Sequence, residues 1–150
     1  MKNRLIYVEF KSGGGDYGLA WIGVAGASKT GATIYSNGKA FRSLKGSGIG
    51  ANYFDIESGE EYWISGIKKN NQDRHWAGGG DILIDESAIS HYLKETGFAS
   101  LPTNLVPAVL APAKQLSRHS ELEHRSLEER SEEFLESIPS GRSGTIKRKS

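Results

Sequence analysis

The chain has 150 residues, enough for one domain with extensions. It contains no cysteine, which excludes a disulfide framework and any thiolate metal site. Its net charge is +1, so there is no bulk attraction to nucleic acid.

The charge is balanced but locally uneven. Residues 1–98 hold eleven Lys/Arg and eleven Asp/Glu, and residues 113–150 hold eight and seven. Lys29, Lys39, Arg42 and Lys45 lie close in sequence, as do Lys68, Lys69 and Arg74. The N-terminus starts basic, but Glu9 arrives after Leu5-Ile6-Tyr7-Val8, so no signal-peptide core is expected. No run approaches the roughly 18 apolar residues of a membrane span. The expectation is a cytoplasmic chain that makes no use of a membrane.

Arg4–Phe10 is rich in β-branched and aromatic residues and reads as a strand. Ser12–Asp16 ends it, and Leu19–Val24 reads as the next. Ser28-Lys29-Thr30-Gly31 is a turn. Thr33–Ser36 and Lys39–Leu44 flank Asn37-Gly38, the dipeptide of a two-residue hairpin, in which both central residues need positive φ. The glycine-rich stretch Gly46–Gly50 reads as a bulged connection. Asn52–Ile56, Glu61–Ile67, Arg74–Trp76 and Asp81–Asp85 are further short strands. Ser87–Thr96 places Ile89, Tyr92 and Leu93 on one helical face, with Gly97 as a C-terminal cap.

After Phe98 the composition changes. Pro102, Pro107 and Pro112 make residues 99–112 an extended linker. Residues 113–138 are charged and of helix-forming composition, with an irregular apolar stripe. Residues 139–150 are basic and read as disordered. The organisation expected is a β-rich domain over 1–98, then this linker and tail. Several short strands with glycine-rich turns predict a mainly β fold. Its form is a small SH3-like barrel or strongly bent antiparallel sheet with one short C-terminal helix.

No motif forms a complete active site. Gly23–Thr30 approaches a nucleotide phosphate loop, but Ser28 stands where the second glycine belongs and a strand follows instead of a helix. Gly46–Gly50 lacks the spacing of a dinucleotide loop. His75, His91, His119 and His124 form no metal-ligand spacing, and Asp73-Arg74-His75 is more simply a loop with a self-bonded Asp. Neither a catalytic residue nor a cofactor or metal is predicted.

The aromatics carry more. In a strand alternate side chains face opposite sides. Tyr62 and Ile64 therefore share one face, and Trp63, Ser65 and Ile67 the other; the sequence does not say which is buried. Aromatics interleaved with bases on a small barrel suit stacking and phosphate contact. A domain this small also needs aromatics for its own core. The candidate binding residues are Tyr35, Lys39, Arg42, Lys45, Tyr62, Trp63, Lys68, Lys69, Arg74 and Trp76.

The segments Ser28-Lys29-Thr30-Gly31, Asn37-Gly38-Lys39, Ser43-Leu44-Lys45-Gly46 and Ala51–Gly66 resemble a family of small, uncharacterised, single-domain bacterial proteins. The resemblance spans residues 4–93 and implies a bacterial, cytoplasmic, stand-alone module, with the linker and tail as departures. It carries no function. The reading is a non-enzymatic binding or adaptor module that favours a protein partner. RNA or single-stranded DNA on the same basic loops and aromatics is the alternative, and the tail is a candidate to fold on a partner.

Overall fold

The computed structural model describes residues 4–12, 18–44, 50–70 and 80–124. The chain divides into two compact units, residues 1–115 and 116–150.

The first unit is mainly β. Its strands are β1 (Arg4–Phe10), β2 (Ala20–Ala27), β3 (Thr33–Ser36), β4 (Lys39–Ser43), β5 (Tyr53–Asp55) and β6 (Glu61–Gly66). They pair antiparallel in sequence order, and β6 returns to pair with β1. This closes a six-stranded barrel and removes the free edges a bent sheet would leave. Arg74–Trp76, expected as a strand, lies outside the described residues.

Two further strands extend the sheet. β7 (Ile82–Asp85) runs parallel to β2, and β8 (Leu105–Ala108) runs parallel to β7. Strand β2 is long enough to serve three neighbours. One edge pairs with β1 over residues 20–25, and the other is shared by β7 at Trp21 and Ile22 and by β3 at Gly26 and Ala27.

This arrangement creates two hydrophobic cores on either side of β1 and β2. Inside the barrel lie Ile6, Val8, Trp21, Phe41, Tyr62 and Ile64. Outside it, Leu5, Tyr7, Ala20 and Ile22 pack with Ile82, Ile84, Tyr92 and Leu105. The unbroken apolar run Leu5-Ile6-Tyr7-Val8 follows from this, because a strand covered on both faces has no solvent side to alternate with.

The hairpin β3–β4 turns through Asn37 (φ +51°) and Gly38 (φ +76°), with Ser36 opposite Lys39. Positive φ at both positions is what the Asn-Gly pair tolerates at least cost. Asp85 caps a 3₁₀ turn, Glu86–Ala88, by accepting from the Ser87 N–H. The helix α1 (Ile89–Thr96) continues directly from it and presents Tyr92 to the outer core. Gly97 ends α1 in a left-handed conformation, donating its N–H to the Leu93 carbonyl.

Residues 105–108 fall within the segment read from sequence as a linker, and they form β8 against β7. Beyond β8 the chain runs as a strap over the barrel. Ala111 N–H donates to Asn37 Oδ1 (2.9 Å) and Gly38 N–H to the Pro112 carbonyl (2.8 Å). Ala113 lies so close over β2 that only glycine fits at position 26.

Of the second unit, residues 116–124 are described, and 117–124 are helical. The Leu116 N–H donates to His119 Nδ1 (3.1 Å) and the His119 N–H to the Leu116 carbonyl (2.9 Å), closing the first turn. Among the described residues no helix is long and apolar enough to cross a membrane.

Candidate functional site

The β5–β6 corner fixes the face of β6. Asp55 is buried, and its carboxylate accepts from the Glu57 N–H (3.0 Å) and the Ser58 hydroxyl (3.1 Å), with Lys39 Nζ 3.5 Å away. Asn52 then stands in for a strand residue: its amide donates to the Ile64 carbonyl and accepts from the Ile64 N–H, each at 2.8 Å. These contacts hold the register that pairs Tyr53 with Tyr62.

Tyr62 and Ile64 therefore point into the barrel, and Trp63 points out. The Tyr62 ring sits edge-on to Phe41 (centroids 5.0 Å apart), Phe10 (5.4 Å) and Trp21 (5.9 Å). Its phenol is pushed up to about 12, first by burial and then by the nearby charges of Asp55 and Glu60. Trp63 is 38% exposed, one of four large apolar residues at the surface among the described residues.

Opposite Trp63, on β1, lies a polar cluster that no sequence motif singled out. Glu9 pairs across β1–β6 with Trp63 and is only 2% exposed. Tyr7 donates its hydroxyl to Glu9 Oε1 (2.6 Å), and Lys11 Nζ is 3.1 Å from Oε2. Tyr7, Glu9 and Lys11 share one strand face by their spacing of two. A carboxylate breaking an apolar run, flanked at i−2 and i+2 by a phenol and an ammonium, was the available signal.

The other predicted site residues divide clearly. Tyr35 is buried, so its ring is part of the packing. Arg42 is buried as well; its Nε donates to Thr33 Oγ1 (2.9 Å), and among the described residues its Nη1 has no hydrogen-bond partner. Lys39 is half-buried against Asp55. Lys68 and Lys69 are exposed just beyond the end of β6, the strand that carries Trp63. Lys45, Arg74 and Trp76 lie outside the described residues. Of the ten candidates, the described surface brings Trp63, Lys68 and Lys69 onto one strand and its exit, while Tyr35, Arg42 and Tyr62 are taken up by packing.

Ser28–Ala32 forms the turn between β2 and β3, with Ser28 Oγ accepting from the Thr33 N–H (3.1 Å), and opens no helix. His91 pairs with Glu95 one helical turn on, at 3.2 Å on an exposed face. Among the described residues no three His, Asp or Glu side chains converge as metal ligands would.

No family model, curated protein or solved structure matches the chain.

Proposed function

We propose that the chain is a non-enzymatic binding or adaptor module, built as a bacterial cytoplasmic protein on an SH3-like barrel, and that it contacts a protein partner through the outer face of β6. The observation that carries this reading is Trp63, a half-exposed indole held on a rigid strand next to the buried Glu9 pair. A tryptophan in such a setting buries much area on binding and loses little conformational freedom, which is why this residue type dominates interface energetics. Lys11 and the exposed Lys68 and Lys69 supply a polar rim.

A second reading rests on the same lysines. Lys68 and Lys69 follow Trp63 on one strand exit, an arrangement in which a base stacks on the indole and phosphates meet the ammonium groups. Capture of partners by the tagged full chain, with and without nuclease, separates the two. Protein partners should survive nuclease and be lost with Trp63→Ala, which is expected to weaken binding about 30-fold or more. Partners lost on nuclease, and lost again with Lys68→Glu and Lys69→Glu, would replace the protein reading with the nucleic-acid one.

A further inference from the structure

We propose that one open end of the barrel is a binding site for a small monocarboxylate with an apolar body. A cavity of about 260 Å³ opens there. Its walls include Ile6, Ala25, Ile34 and Ile64, all contributed by the barrel's interior core or packed against it. Tyr53 adds a half-buried ring, and Arg4 is the charged residue of the lining.

The position of Arg4 is what gives the cavity a preference. It opens β1 and shares the strand face of Ile6 and Val8, so it stands at the inward-facing position of the barrel mouth. Among the described residues it has no acidic partner, and no carboxylate lines the cavity. A guanidinium presents a planar fork of donors that matches a carboxylate in a bidentate way. One cation suits one negative charge, and the apolar walls beneath it suit a hydrocarbon body that leaves water. A cavity of roughly 150 Å³ takes up benzene, so this one has room for about ten non-hydrogen atoms. A phenyl or short alkyl chain bearing one carboxylate has that size.

This site is separate from the surface proposed for the partner. Trp63 faces outward from β6, whereas Ile64 faces the barrel interior, so each can be tested without the other.

The probe is phenylacetate, with phenylacetamide as its neutral counterpart, titrated into the ¹⁵N-labelled full chain and followed by amide chemical shifts. Saturable shifts are expected at Arg4, Ala25, Ile34, Tyr53 and Ile64, with a dissociation constant of about a millimolar. Phenylacetate should bind about fivefold more tightly than the amide, the scale of a partly exposed ion pair. Arg4→Gln, a change at an exposed strand start, should erase that preference and leave amide binding as it was. Trp63→Ala should change neither. Absence of saturation, shifts centred elsewhere, equal binding of acid and amide, or an Arg4→Gln protein that keeps the preference would each overturn the proposal.

Discussion

Replacing Gly26 by alanine sets strand β2 directly against the strap that follows β8. A Cβ at position 26 would lie well inside contact distance of the Ala113 carbonyl oxygen, a backbone atom that no side-chain rotation can remove. The protein has two ways to respond. It can strain β2 and the strap together, at the ~1–3 kcal/mol typical of overpacking. It can instead release the strap, losing the bonds at Asn37 Oδ1 and Gly38 N–H at about 1 kcal/mol each, with a further cost of about 1 kcal/mol for the part-buried Leu110. The cheaper response sets the result, so Gly26→Ala should destabilise by about 1–3 kcal/mol in equilibrium urea unfolding followed by tryptophan fluorescence. Gly66→Ala is the control. Its Cβ would meet nothing, its φ is ordinary, and it should be neutral or stabilise by up to about 1 kcal/mol. Asn37→Gly adds a second check, since it removes the strap's acceptor but tolerates the turn's positive φ. If Gly26→Ala releases the strap, the two changes together should cost little more than Gly26→Ala alone. A Gly26→Ala protein within about 0.5 kcal/mol of Gly66→Ala would refute the close approach of Ala113 to β2, because additivity errors are of that size.

Two more outcomes follow from the β6 wall. Asn52→Ala strips both hydrogen bonds from the Ile64 peptide, in a part-buried position, and should lower stability by about 2 kcal/mol in the same unfolding assay; a loss below about 0.5 kcal/mol would mean that water replaces the amide. Tyr62, with its phenol raised to about 12, ties stability to alkaline pH. Below pH 10 both folded and unfolded chains keep the proton and this group contributes no pH dependence. Between pH 10 and about 12 the unfolded chain ionises while the folded one does not, so stability should fall as pH rises, and Tyr62→Phe should flatten that slope.

Local chemistry makes much of the barrel legible in the sequence. Asn37-Gly38 admits few conformations other than a two-residue turn, and Gly97 marked the end of α1 for the same reason of backbone freedom. The β-branched and aromatic strands were readable from composition, though their ends shifted by a residue or more: Leu19–Val24 became Ala20–Ala27, and Asn52–Ile56 shrank to Tyr53–Asp55. What no local signal carried was long-range. The parallel pairing of β8 with β7 depends on neighbours far away in sequence, and three prolines around Leu105–Ala108 argue for an extended chain without saying what it lies against. The face of β6 was ambiguous because Tyr62 and Trp63 are both large aromatics; the Asn52 and Asp55 contacts decide it. Tyr35 and Arg42 were candidate binding residues on residue type alone, and their burial depends on tertiary packing that residue type does not report.

The closure of the barrel through β1 and β6 also bears on how the chain survives its own synthesis. One edge of β1 is met early, by β2, but the other waits for β6, and Ile6 must wait for Gly66 to emerge 60 residues later. At about 5–20 residues per second that delay is about 3–12 s. During it Leu5-Ile6-Tyr7-Val8 offers a bare, strongly apolar strand edge to any other nascent chain. The charges that bracket this run, Arg4 before it and Glu9 and Lys11 after it, are placed where they discourage such pairing. Two of them then find each other in the finished barrel, where Lys11 Nζ lies 3.1 Å from the Glu9 carboxylate.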